Sequence, residues 1–414
     1  MHCFYNLAIF LYAACAWVVA LFSKKVRKMV EGHCQTYNIL KKNIAKEDRV
    51  VWFHAASLGE FEQGRPIIER VKRERPELKV LLTFFSPSGY EVCKHYEGAD
   101  VVCYLPFDLP GNAHWFVRMA HPEIAVFIKY EFWENYLRRL HKRGTKIYSV
   151  SSVFRQKQYF FRWWGSPHTL YHFDRFFVQN EHSKQLLAQI GIDKVQVTGD
   201  TRFDRVLSIR QQAAPLPLVE KFIANSTKVF IAGSSWEADE DIYIPYFLQH
   251  PDWRLIIAPH VVSSTRLHAI EKALSEKRKC VRYSCLEKTG GKVPKGASVL
   301  IIDCYGKLAS IYRYGQVALI GGGFGAGIHN VPEAAVYGLP ILFGPNNKRF
   351  VEAQALLYRG GAFEYNDANQ FARIMDGFIA QPATMTQAGR IAGKYIADHA
   401  GAADACFDAI FQSD

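Results

Sequence analysis

The sequence predicts an α/β protein built from two Rossmann-like halves. Three observations carry that prediction. From Val50 onward, short β-branched and apolar runs alternate with stretches of helical periodicity. The runs are apolar throughout rather than alternating, as expected of parallel strands covered by helices on both faces. The rhythm breaks once, over 211–227 with its Pro215 and Pro217, and then restarts.

Taken in order, the strand candidates of the first half are 50–55, 79–85, 101–106, 124–128, 146–151, 175–179 and 195–198. Helical patterns lie between them, such as 181–190, closed by Gly191. After the joint, the candidates are 228–232, 253–258, 298–302, 317–320 and 340–343. The expected organisation is a membrane anchor over 1–30, a first domain over 31–210, a linker over 211–227 and a second domain over 228–414. Two such halves suggest domains facing a cleft.

The anchor rests on 7–22, a run without a charged residue, followed at once by Lys24, Lys25, Arg27 and Lys28. A hydrocarbon core takes about 20 apolar residues, and cations after the run place the body on the cytoplasmic side. A cleaved signal peptide would carry its charge before the run, where only His2 stands.

The 414 residues are 49% hydrophobic and 14% aromatic, which excludes a disordered chain. The net charge of +12 implies a partner with phosphates: a nucleic acid, an anionic membrane or an acidic substrate. Nine cysteines without a C-x-x-C pair read as reduced thiols. The expectation is of no metal-binding H-x-x-x-H or H-E-x-x-H, no Gly-x-Ser-x-Gly and no Walker A loop, and hence of no metal or cofactor.

Ligands of open α/β sheets sit beyond the carboxyl ends of strands, so residues just after each run are the candidates. Glu60 follows the first run through Ser57-Leu58-Gly59, either as a complement to a helix dipole or as a general base. Glu131, after the fourth run, carries the same two readings. Arg202 either meets an anion or pairs with Asp200 or Asp204.

In the second half, the small-residue turn 232–237 suits backbone contact with an anion, and Pro259-His260 ends the next run. Gly306-Lys307-Leu308 opens a helix whose amides and lysine suit a phosphate. The glycine-rich stretch 321–327 leads to Asn330-Val331-Pro332-Glu333, where spacing puts Asn330 and Glu333 on one helix face and offers Glu333 to a ribose. Asp239-Glu240-Asp241 falls inside a helix start and reads as a dipole complement rather than a metal ligand.

These motifs together resemble the 3-deoxy-D-manno-octulosonic acid (Kdo) transferases of lipopolysaccharide synthesis. The resemblance lies in Trp52 to Glu60, Lys129 to Trp133, Thr198 to Asp204, and His329 to Gly338 with Pro340 and Phe343-Gly344-Pro345. It implies a GT-B fold, an inner-membrane anchor, and inverting transfer of Kdo from CMP-Kdo to a lipid A precursor without a metal. It makes Glu60 the base, Glu131 a second essential carboxylate and Arg202 a cation assisting the transition state. CMP contacts would fall on Pro259, His260, Gly306, Lys307, Leu308, Asn330, Val331, Pro332 and Glu333. The chain departs from the pattern with Arg202 in place of a lysine and His260 in place of an arginine. The last stretch, 383–414, would pack back on the first domain. Two other readings remain: a GT-B enzyme of another nucleotide sugar, such as a UDP-sugar transferase or epimerase, and a non-catalytic, membrane-tethered binder of anionic lipid. No nucleic-acid motif appears.

Overall fold

The computed structural model describes residues 2–412 apart from 225 and 276. The chain forms two compact units, one of residues up to Arg205 and from Ala400 onward, the other Val206–His399.

Among the described residues, the first unit holds seven parallel strands: β1 (Arg49–Ala55), β2 (Leu78–Phe84), β3 (Val101–Tyr104), β4 (Ile124–Ile128), β5 (Lys146–Ser152), β6 (Arg175–Val178) and β7 (Val195–Val197), in the order β3-β2-β1-β4-β5-β6-β7. The order reverses between β1 and β4, which pair from Val51↔Ile124 to His54↔Phe127. One face of the sheet buries Trp52, Phe116, Phe127 and Tyr136; the other buries Phe53, Phe61, Ile68 and Phe84. Apolar side chains on both faces account for the unbroken runs in the sequence.

The chain's last helix, Ala402–Phe411, completes the second of these faces with Cys406, Phe407 and Ile410. Its amino end is held by Asp204, whose carboxylate accepts from the amides of Gly401 (2.7 Å) and Ala403 (3.2 Å). Arg70 pairs with Asp404 and Asp408 on that helix, and its guanidinium lies 4.1 Å from the centre of the Phe407 ring.

The amino-terminal segment forms two helices, α1 (His2–Ala20) and α2 (Lys24–Asn43). Among the described residues, Cys3–Ala20 is the stretch long and apolar enough to cross a membrane. Its small residues Ala13, Ala16 and Ala20 are buried against Met29, Val30 and Phe107, while Phe4, Phe10, Trp17 and Val18 are exposed. Arg27 donates to the carbonyls of Ala20 (3.0 Å) and Leu21 (2.9 Å), a cation closing the carboxyl end of α1.

The second unit repeats the plan with β8 (Val229–Ser235), β9 (Arg254–Pro259), β10 (Lys279–Arg282), β11 (Ala297–Ile301), β12 (Val317–Ile320), β13 (Ile341–Phe343) and β14 (Ala362–Glu364), all parallel, ordered β10-β11-β9-β8-β12-β13-β14. Its reversal lies between β8 and β12. Two of these strands are absent from the sequence prediction. β10 is Lys-Cys-Val-Arg at a sheet edge, with cations at both ends, and β14 is three residues long. Neither is long enough to show a periodicity. Within the expected linker, Pro217 starts a short helix, Pro217–Ile223, that buries Val219 and Phe222; Asn225 lies outside the described residues.

Phe407 is 1% exposed. Phe407→Ala is expected to destabilise the first unit by about 3–5 kcal/mol through the cavity it leaves. Urea unfolding monitored on that unit's tryptophans checks this; an unchanged midpoint would show that the last helix is not part of the core.

Candidate active site

The reversal between β1 and β4 is where a doubly wound sheet opens for a ligand. It is also where the sequence places both glutamates. Ser57 precedes helix α3 (Leu58–Glu74), and Glu60 lies in its first turn. The Ser57 hydroxyl donates to Glu60 Oε2 at 3.0 Å. Glu60 is half-buried, and its carboxyl is raised above the usual range, first by burial and then by the negative charge of Glu131.

Glu131 is placed by a distorted strand end. Lys129, just past β4, has φ +64°, and Ser151, inside β5, has φ +55°. The register between β5 and β6 slips at that point. Non-glycine residues in this region are strained and persist only where their surroundings hold them. Here the Lys129 amide donates to Val150 O (2.9 Å) and the Ser152 hydroxyl to Lys129 O (2.8 Å).

Glu131 is buried, and its Oε2 receives Trp133 Nε1 at 2.6 Å and faces His54 Nε2 at 3.1 Å. Behind His54, Thr83 Oγ1 lies 2.8 Å from Nδ1 and accepts from Trp52 Nε1 at 2.8 Å. The Thr83 hydroxyl has one hydrogen to give, and Nδ1 at 2.8 Å is a nearer acceptor than Phe53 O at 3.4 Å. A hydrogen on His54 Nε2 satisfies both ends of this chain, since a carboxylate can only accept. The chain Trp52–Thr83–His54–Glu131–Trp133 fixes one carboxylate and leaves Glu60 as the more accessible partner.

Arg202 pairs with Asp200, not Asp204: its Nε and Nη2 both lie 2.8 Å from Asp200 Oδ2. Asp200 is buried and also accepts from Gln63 Nε2 at 3.0 Å, so this cation is held in one orientation.

In the second unit, the residues after β8, β9 and β12 converge. Trp236 stacks on His260 (centroids 4.6 Å apart), and His260 stacks on His329 (4.3 Å). Trp236 Nε1 donates to His329 Nε2 at 3.0 Å. Burial, with His260 beside it, lowers the pKa of His329, in keeping with a ring nitrogen that accepts. His260 itself is exposed.

Next to this stack, Asn330 precedes the helix Val331–Ala335 and donates to Glu333 Oε1 at 2.7 Å, on the shared face expected from the sequence. Asn330 Oδ1 is buried with no hydrogen-bond partner among the described residues, as in a site awaiting a donor. Pro259, Val331 and Pro332 are buried and shape the wall.

The structure does not join Lys307 to this group. Gly306 has φ +82°, Leu308 begins a four-residue helix, and Lys307 Nζ lies 4.0 Å from Glu287 and 5.0 Å from the Tyr283 ring centre. The glycine stretch serves packing: a Cβ on Gly321 would meet Ser234 O at 2.2 Å, and Gly322 has φ +92°. Asp239 holds both sides of that packing, with Oδ2 accepting from the amides of Trp236 and Gly322, each at 3.0 Å. Glu240, pushed up to about 7 by burial, pairs with Arg266 and accepts from Ser235.

His54, Trp236 and His329 were not among the expected site residues. For Trp236 and His329 the available signal was an aromatic ring directly after a strand or a glycine stretch; for His54 it was a polar residue inside an apolar strand.

Two parallel seven-stranded Rossmann-like sheets, each with polar side chains gathered at its reversal point, define a GT-B fold. Solved structures agree. The chain aligns with a UDP-GlcNAc 2-epimerase from Neisseria meningitidis at TM-score 0.64 and 15% identity, covering 88% of this chain and 100% of that one. Residues 32–205 match the family model described as 3-deoxy-D-manno-octulosonic-acid transferase. A 3-deoxy-D-manno-octulosonic acid transferase of Chlamydia trachomatis is 26% identical over 80% of this chain and 77% of its own length. Its counterpart from Haemophilus influenzae is 20% identical over 94% and 93%. The first unit thus matches the Kdo transferase family model, and over most of its length the chain is similar to Kdo transferases.

The relay predicts that His54 carries its hydrogen on Nε2, which ring ¹⁵N shifts report. Thr83→Val removes the donor to Nδ1 and is expected to shift those resonances; unchanged shifts in the variant would mean that the relay does not set the tautomer.

Proposed function

We propose that the chain transfers Kdo from CMP-Kdo to a hydroxyl of a lipid A precursor, with inversion and without a metal in the transfer step. The observation that carries this reading is the pair at the β1–β4 reversal: a fixed Glu131 beside a half-buried Glu60 whose proton affinity is raised. A base so tuned takes a proton from an alcohol better than an ordinary carboxylate. The similarity to Kdo transferases supports the Kdo donor.

In this reading the second unit holds CMP. His260, stacked with Trp236 and His329, offers a flat surface to the cytosine. Glu333 takes the ribose hydroxyls, and Asn330 Oδ1 accepts from the nucleotide. Gly306, Lys307 and Leu308 contribute where the phosphate charge is met, Lys307 turning from Glu287 to do so. On the first unit, Glu60 removes the acceptor's proton, the freed oxygen attacks the anomeric carbon in line, and CMP departs. Glu131 favours the positive charge that develops on the sugar. Arg202 balances the donor's own carboxylate and phosphate.

Helix α1 would seat the body at the cytoplasmic face of the inner membrane, where the basic surplus meets anionic lipid and the acceptor's phosphates.

Glu60→Gln is expected to reduce transfer by about 10²–10⁴-fold while CMP binding is retained. Product formation from CMP-Kdo and lipid IVA, read by mass spectrometry, checks this; near-normal turnover would remove Glu60 from the role of base. Competition between CMP and UDP separates this reading from a UDP-sugar enzyme on the same fold. Here CMP is expected to inhibit and UDP not, and His260→Ala is expected to weaken CMP inhibition about tenfold, in line with the loss of one stacking contact.

A further inference from the structure

Away from the strand-end site, the first unit gathers three side chains suited to a metal. Glu134 opens the helix Glu134–Arg143 and is buried. His168 and His172 are the two ends of a single 3₁₀ turn, His168–His172. Their H-x-x-x-H spacing stands in the sequence at 168–172, which corrects the expectation that the chain carries no such motif.

Glu134 Oε1 lies 3.6 Å from His168 Nδ1 and 3.6 Å from His172 Nε2. These distances are long for hydrogen bonds. They are close to the edge of a tetrahedron whose bonds are about 2.0–2.1 Å, which is roughly 3.3 Å. One ligand atom from each residue falls within 4.8 Å of the others. The other oxygen of the carboxylate is tied by the Thr169 hydroxyl, which donates to Oε2 at 2.5 Å and so orients Oε1 toward the imidazoles. His172 Nε2 is buried without a hydrogen-bond partner among the described residues, a cost that a ligand would remove. On the open side lies a cavity of about 390 Å³ lined by Tyr5, Glu134, Arg138, His168 and Thr169, with room for a water or small anion as a fourth ligand.

We propose that Glu134, His168 and His172 form a site for a divalent cation of the zinc class, with an exchangeable fourth position facing this cavity. Two imidazoles and one carboxylate suit Zn²⁺, Co²⁺ or Ni²⁺; Mg²⁺ and Ca²⁺ prefer all-oxygen shells. Bound there, the ion ties the 3₁₀ turn to the helix that follows Glu131. It takes no part in the transfer step proposed above, and the site stands whether or not that reaction is correct.

The test uses the untagged full-length chain in detergent, stripped with EDTA and then titrated with Co²⁺. The expected result is one Co²⁺ per chain with the intense visible absorption of a four-coordinate ion, abolished by one equivalent of Zn²⁺. His168 is largely exposed (side chain 68%), so His168→Ala should leave the fold intact, as circular dichroism would verify. That variant is expected to weaken binding at least tenfold and to change the spectrum, and Glu134→Gln is expected to do the same. An absent four-coordinate spectrum, or one that persists with equal affinity in both variants, would overturn the site and assign the binding to other histidines.

Discussion

The negative charge of Glu131 cannot move, and much of the first unit is arranged around that constraint. Two donors, Trp133 Nε1 and His54 Nε2, hold its Oε2. His54 is fixed in turn by Thr83 and Trp52, whose rings and hydroxyl are buried in the sheet. A carboxylate taken out of water costs several kcal/mol unless it is met by donors. That cost makes the whole relay interdependent: remove one donor, and the charge it serves is left buried. The consequence for Glu60 is electrostatic. It cannot lose its proton as easily as a solvated glutamate, because burial and a fixed like charge both oppose it.

The two units use the same local device. In the second, β8 beside the reversal ends in a slip against β9 and in Ser234 at φ +52°; in the first, β4 beside the reversal is followed by Lys129 at φ +64°, and the next strand, β5, carries Ser151 and the slip against β6. Such distortion re-aims the following side chains away from the pleat. In the first unit it delivers Glu131. In the second it delivers Trp236 to the His260–His329 stack, with Asp239 fastening the amides of Trp236 and Gly322.

The parallel sheets were legible because long, doubly buried strands leave continuous apolar runs. β10 and β14 were not, because a four-residue and a three-residue edge strand carry too little pattern. Glu60 and Glu131 were legible as residues after strands, and the Asn330–Glu333 pair from helical spacing. The partner of Arg202 was not fixed by spacing, since Asp200 and Asp204 are both two residues away. The structure divides the work: Asp200 takes Arg202, and Asp204 caps the returning terminal helix. The glycine stretch leads to the Asn330–Glu333 pair as expected, yet Gly321 and Gly323 are required because backbone packs on backbone there, at Ser234 and Gly344. Such long-range contacts leave no mark in a local sequence pattern. The Trp236–His260–His329 stack was hidden for the same reason, its members lying on three separate strand ends.

The account is tested most directly by titrating Glu60 itself, through the ¹³C resonance of its side-chain carboxyl. The predicted midpoint lies above that of a solvated glutamate, and it moves to lower pH in Glu131→Gln, because removing a neighbouring negative charge makes ionisation easier. A midpoint in the ordinary glutamate range that is indifferent to Glu131 would contradict it.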